Sequence, residues 1–423
     1  MTDHERGVVI IGNGVAANAA AAVIRKINSI TPITMISQEA FPEYSACVLS
    51  KKYICGEMDR EDVFLKKPED YEKQNIKTLF GQKVTRIDSE KKEVILRNQK
   101  VSYDKLIISM GGNPVIPPLE GVGKRGIFTL KSLADADSIF RRRGSRAVVI
   151  GGGAIGVEAS ISLRKRGFHV VLIELLDRIL PTMFDGEASS IMRKRLEGFG
   201  IEVHTREKAM GFRGNGDVCC VSTQKREEDC DLVILSLGIK PNIEIAKDAG
   251  AEIGSRGGIV ADEYMQTNLR DVFACGDCVE TRDKITGNNM LCLLWYNARQ
   301  QGKIAGYNSV GIRKKFLGNI AIGTVDVLGS FGVSIGHTRD SFSQGNVEVI
   351  EGGDTWYHRV VISDGVFVGA QLIGKINDIG PIVTAVRKGD TQEKLQSMLY
   401  DGRLLALDPS RVKLYQYLDK AFL

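Results

Sequence analysis

One short design occurs twice in this chain. "VVIIGNGVAANAAAAVI" at 8–24 and "AVVIGGGAIGVEASISL" at 147–163 each join a β-branched strand, a glycine-rich turn and a helix of small residues. Each leads to a second apolar strand, "ITMIS" at 33–37 and "HVVLIE" at 169–174. Strand, turn, helix and strand in that order build a parallel sheet, so two such units predict two α/β domains that each bind a dinucleotide.

The second turn carries Gly151, Gly153 and Gly156 in G-x-G-x-x-G spacing. The first glycine permits the tight turn, the second lets the backbone approach a pyrophosphate, and the third lets helix and strand pack closely. The helix N-terminus then faces the phosphates. Glu174 ends the next strand, 18 residues beyond Gly156, where an acid accepts hydrogen bonds from a ribose 2′-hydroxyl. An acid there repels a 2′-phosphate, and Leu175 and Leu176 follow it rather than an arginine, so the reading is NAD(H). The first turn has Gly12, Gly14 and Ala17, the G-x-G-x-x-A variant, and its ribose acid is either absent at Ser37 or displaced to Glu39.

At 423 residues, two or three domains are expected. With 52 acids against 57 bases, the charge is too balanced for a nucleic-acid protein, while a docking face for an acidic partner stays open. No apolar run reaches the roughly 20 residues that span a bilayer. The opening "MTDHERGVVIIG" has no secretory signature, so a cytoplasmic protein with mostly reduced cysteines is expected. "CGDC" at 275–278 offers two sulfur ligands where zinc takes four, and Cys219, Cys220 and Cys230 lack ligand spacing, so no metal site is read. The arginines at 141–143 read as a solvated surface. From about 319 the pattern changes to strand alternation, "WYHRVVISDGVFVGAQLIG" at 356–374, and closes with helical segments from Ile379 onward.

The order of first glycine turn, "SMGGNPVIPPLEG", second glycine turn, "SLGIKPN" and "TNLRDVFACGD" resembles the FAD-dependent pyridine nucleotide-disulfide oxidoreductases across nearly the whole chain. The branches it most resembles are the nitrite reductase NADH module, the rubredoxin and ferredoxin reductases, and the coenzyme A disulfide reductases. The resemblance implies two Rossmann-like domains plus a smaller C-terminal α+β domain. An FAD domain is expected over 1–117 and 251–318, an NAD(H) domain over 118–250, and an interface-type domain over 319–423. It assigns Gly12, Gly14, Ala17, Glu39, Gly111, Gly276 and Asp277 to FAD, and Gly151, Gly153, Gly156, Glu174 and Gly238 to NAD. "SMG" at 109–111 departs from the usual Ala-Thr-Gly.

"EYSACVLSKKYICGE" at 43–57 lies between two branches. Glu39, Tyr44, Leu49, Ser50 and Lys51 match the ferredoxin-reductase register, and Cys47 matches the nucleophilic cysteine of coenzyme A disulfide reductases. Val48 and Ser50 depart from the latter motif. Cys55 is eight residues on, too far for a C-x-x-x-x-C pair. Cys47 is therefore read either as a redox thiol or as a small apolar residue. In both branches a lysine here, Lys51, lies by the flavin and pairs with a glutamate matching Glu158. A fixed cation stabilises the negative charge that hydride delivery builds on the ring.

The tail "LLALDPSRVKLYQYLDKAFL" has no histidine, which argues against a disulfide reductase of the glutathione type. "W-x-x-A-x-x-Q-G" matches Trp295, Ala298, Gln301 and Gly302, and Trp295 stands either beside the flavin or in the core. In the nitrite reductase large subunit, iron–sulfur and haem domains follow on the same chain. Here an electron-transfer component is expected, passing electrons between NAD(H) and a separate iron–sulfur or other redox protein or subunit, as a homodimer or hetero-oligomer. A coenzyme A disulfide or persulfide reductase or NADH oxidase using Cys47 is the alternative, and a structural flavoprotein subunit the third reading.

Overall fold

The computed structural model describes residues 6–341, 346–352, 356–374 and 379–391. The tail without histidine lies outside them.

The chain opens with β1 (Val8–Ile11), α1 (Val15–Ile27), β2 (Ile33–Ser37), β3 (Ile76–Phe80) and β4 (Lys105–Ile108). The second nucleotide fold follows: β5 (Ile127–Thr129), β6 (Arg146–Ile150), α2 (Ala154–Lys165), β7 (His169–Ile173), α3 (Gly186–Gly198), β8 (Ile201–His204) and β9 (Leu232–Leu235). The chain then returns to the first sheet with β10 (Val272–Ala274), which α4 (Trp295–Ser309) follows. The last elements are β11 (Ile322–Val327), β12 (Ser330–Gly336), β13 (Asn346–Gly352), β14 (Tyr357–Ser363), β15 (Val366–Ile373) and α5 (Ile379–Lys388).

Both five-stranded nucleotide-fold sheets are parallel, ordered β10-β4-β1-β2-β3 and β8-β7-β6-β9-β5. Apart from the exposed Arg146 that opens β6, their central strands are apolar and buried, as strands covered on both faces must be. α1 and α4 meet backbone to backbone. A Cβ on Gly302 would stand 2.2 Å from the Ala16 carbonyl, and one on Gly306 2.6 Å from that of Ala20. The third sheet, β11-β12-β15-β14-β13, is antiparallel.

The chain forms two compact units, 1–45 with 60–113 and 239–319, and 46–59 with 114–238 and 320–423. This division differs from the expected one: residues 46–59, 114–117 and 239–250 change sides, and the C-terminal antiparallel sheet groups with the second unit instead of standing apart. Residues 239–250 go with the first unit because Ile239–Pro241 pairs with Gly112–Pro114, and Asn242 bonds the Gly111 and Met110 carbonyls. Residues 46–59 go with the second unit through contacts described below. Arg142 is no solvated arginine: it donates to the Asp231 carbonyl at 3.0 Å and to Asp217 at 3.0 Å.

In the second unit a buried charge cluster fastens the antiparallel sheet to α3. Arg359 on β14 reaches Asp185 and Glu187, each at 2.7 Å, and the Tyr357 hydroxyl lies 2.9 Å from Asp185. Asp185 also caps α3 by accepting from the Ala188 amide. No helix among the described residues is long and apolar enough to cross a membrane.

Candidate functional site

Parallel strands in register end together, so the turns beyond them share one edge, where α/β sheets bind ligands. In the first unit Ile11, Ile108 and Ala274 are register partners. Gly12 and Gly14, Gly111, and Gly276 with Asp277 therefore leave the same edge. In the second, Ile150 pairs with Ile173 and with Leu235, which gathers Gly151 and Gly153, Glu174, and Gly238.

The two glycine turns approach a neighbouring strand end in the same way. A Cβ on Gly12 would sit 2.2 Å from the Ser109 carbonyl, and one on Gly151 the same distance from that of Ser236. Both residues have positive φ. Gly14 and Gly153 are the N-caps of α1 and α2, supply no side-chain cap, and face open space. Uncapped helix amides beside an open backbone suit the pyrophosphate of a dinucleotide. Third in each motif, Ala17 is fully buried on α1, while at Gly156 a Cβ would meet the Gly151 carbonyl at 1.9 Å.

Glu174 is buried, and both its oxygens are held by backbone: one accepts from the Gly152 amide at 2.6 Å, the other from Leu176 at 2.7 Å. This ties the acid to the glycine turn and leaves each oxygen a second lone pair for a hydroxyl donor. Glu174→Ala is expected to weaken NADH binding about 10- to 100-fold, the worth of a hydrogen bond to a charged group. A fluorescence titration measures this, and an unchanged Kd would take Glu174 out of the ribose role.

In the first unit Glu39 is exposed two residues past β2 and accepts from the Tyr44 hydroxyl at 2.8 Å. Gly276 donates to the Gln301 side chain at 2.8 Å, and Gln301 is held through Asn319. Gln301 thereby fixes the turn that carries Asp277, a task that its place in the sequence motif does not reveal. An amide cluster of Asn13 and Asn18 with Tyr71 and Lys66 braces the first glycine turn, and the pattern reading missed it. Trp295 is half-buried, with the Arg299 guanidinium 5.6 Å over its ring.

Lys51 lies in a π-helical turn, Leu49–Tyr53, and its ammonium is 3.2 Å from Glu158 on α2. Glu158 is 4% exposed, Lys51 28%. Burial pushes the Glu158 carboxyl above its ordinary range, against the pull of Lys51 and then of a hydrogen bond from Ser50. π-turns recur at functional sites because they redirect side chains that an α-helix would spread apart. The segment is anchored to the second unit by Tyr53 on Asp137 at 2.5 Å and Lys165 on Glu57 at 2.6 Å.

Cys47 is half-exposed in the helical turn that runs into this π-turn. The Cys55 thiol points back to the carbonyls of Lys51 and Lys52, at 3.3 and 3.2 Å. Cys275 and Cys278 are fully buried in the first unit, and burial pushes the Cys278 thiol up to about 12.

The sequence profile described as pyridine nucleotide-disulphide oxidoreductase matches residues 6–302. The chain is 34% identical to an NADH oxidase of Methanocaldococcus jannaschii over 73% of its own length and 71% of the relative's. It is 32% identical to the putidaredoxin reductase of Pseudomonas putida over 66% of its own length and 68% of the relative's. Among solved structures, an NAD-dependent persulfide reductase from A. fulgidus superposes with a TM-score of 0.84 at 29% identity, over 92% of this chain and 78% of that one.

Proposed function

The chain belongs to the pyridine nucleotide-disulphide oxidoreductase family, is an NADH-dependent flavin oxidoreductase using FAD and NAD(H), and we propose that it hands electrons to a separate redox protein. When bound, FAD accepts hydride from NADH and releases electrons to an acceptor. The first unit's residues Gly12, Gly14, Ala17, Glu39, Gly111, Gly276 and Asp277 would hold it, and Gly151, Gly153, Gly156, Glu174 and Gly238 would hold the nicotinamide dinucleotide. Lys51 supplies a fixed cation where negative charge develops, and Glu158 keeps that cation charged and in place. The Lys51–Glu158 contact carries this reading.

For the acceptor, an iron–sulfur or similar protein on another polypeptide is favoured by two things. One is the likeness to putidaredoxin reductase. The other is Cys55, whose thiol is engaged by its own turn rather than poised as the second half of a dithiol relay. On this reading the protein works in the cytoplasm as one component of a larger assembly. The half-exposed Cys47 and the likeness to a persulfide reductase favour the second reading, reduction of a coenzyme A disulfide or persulfide.

An anaerobic NADH titration followed across the visible spectrum separates them. Uptake of one NADH per FAD, with no thiolate–flavin charge-transfer band, is the expected result. Uptake beyond one equivalent, with a band that Cys47→Ser abolishes, would replace it with the thiol reductase.

A further inference from the structure

The π-turn closes on the hydrogen bond from the Ile54 amide to the Leu49 carbonyl, five residues back, at 3.1 Å. In an α-helix consecutive side chains diverge by about 100°. Here the neighbours Ser50 and Lys51 converge on one carboxylate. The Ser50 hydroxyl donates to Glu158 Oε2 at 2.6 Å, while the Lys51 ammonium lies 3.2 Å from Oε1. One turn further along α2, the Ser162 hydroxyl donates to the Ser50 carbonyl at 2.5 Å and lies 3.3 Å from that of Lys51. Glu158 and Ser162 thus hold the same two residues, one by side chains and the other by backbone. Ser50 is 1% exposed, so no water competes easily for its proton.

We propose that Ser50 is the positioning residue of the Lys51–Glu158 pair, its hydroxyl fixing one carboxylate oxygen so that the other faces the ammonium. This rests on the role proposed above for that pair. A carboxylate held at one oxygen cannot swing about its terminal torsion, which is otherwise broad. Ser50 has a single proton and gives it to Glu158, so it supports the charged form of the acid. Two further charges act on Glu158: Lys51 from the π-turn and Asp326 from β11. The strands packed against α2 carry Arg146 on β6, His169 on β7, and Glu202 and His204 on β8, while β9 carries no titratable residue.

Removing the Ser50 hydroxyl withdraws a donor from the ionised form, so the acid holds its proton to higher pH. The expected rise is about one to two pH units, from the worth of a hydrogen bond to a charged group. The test uses FAD-loaded Ser50→Ala, with Ser50→Thr as the variant that keeps the hydroxyl. The first readout is the pH profile of flavin reduction by NADH. The second is the infrared carboxyl band of Glu158, assigned by its disappearance in Glu158→Gln. In Ser50→Ala both the acid limb of the profile and the infrared midpoint should move up, and Ser50→Thr should bring both back. If Ser50→Ala does not fold, Ser50→Cys keeps the volume with a weaker donor and should move both midpoints less, in the same direction. Unmoved midpoints in these variants overturn the proposal. Failure of the functional reading shows separately, as unchanged reduction in Lys51→Ala while the infrared midpoint of Ser50→Ala still rises.

Discussion

Lys51→Ala is expected to slow reduction of bound FAD by NADH about 10²- to 10³-fold, the loss seen when one preorganised charge-stabilising donor is removed. FAD itself should stay bound, because the residues expected to hold it lie on the turns of the first unit, and Lys51 is not among them. Glu158 is almost wholly buried, and burial already raises its carboxyl pKa against the pull of Lys51. Without Lys51 it takes up a proton at a higher pH still, because the charge that opposes the effect of burial is gone. Lys51→Arg keeps the charge in a bulkier, planar group and should recover part of the rate. Anaerobic stopped-flow mixing gives the comparison, and a wild-type rate in Lys51→Ala would remove this residue from the chemistry.

Arg359→Ala should destabilise the second unit by about 3–5 kcal/mol, the cost of leaving a buried charge without its partner. Arg359 is 5% exposed, and so is Asp185, while Glu187 is mostly exposed and can turn to water. The penalty therefore falls on Asp185, which must stay in place because it also caps α3. Arg359→Leu combined with Asp185→Asn removes both charges while keeping a cap and the apolar bulk, and should be markedly less costly than Arg359→Ala. Urea unfolding monitored by circular dichroism would decide it. Equal stability of Arg359→Ala and the native chain would mean the cluster is hydrated in solution.

What could be read from the sequence, and what could not, follows the distance over which each feature is encoded. Gly151, Gly153, Gly156 and Glu174 stand within 24 residues of one another, and the Gly152–Glu174 hydrogen bond falls inside that window. Spacing alone was enough to put the acid beside the glycine turn. Lys51 and Glu158 are 107 positions apart and were paired through resemblance, not through any local pattern. Ser50 falls within a matched motif, but its bond to Glu158 spans 108 positions and leaves no periodicity to find. The π-turn likewise has no compositional signature in "LSKKY". Arg142 looked like one of three solvated arginines because its partners, Asp217 and Asp231, lie on a distant hairpin and strand start. Residues 239–250 seemed to end the second fold because they follow β9 directly. Only the pairing of Ile239–Pro241 with Gly112–Pro114 shows where they pack.

The return of β10 and α4 to the first sheet sets an order of events during synthesis. β10 pairs with β4 across more than one hundred and fifty residues of intervening chain, and α4 lays Gly302 and Gly306 on the backbone of α1. Until those segments leave the ribosome, the first sheet lacks an edge strand and α1 lacks its cover. The second nucleotide fold is complete in sequence well before that moment, and domains fold as units while the chain is still growing. Its parallel sheet should therefore form first, while the first sheet waits for β10 and the second unit waits for its antiparallel sheet. A chain interrupted shortly before Trp295 would present the small-residue face of α1 uncovered, and such a fragment is the form most prone to aggregate.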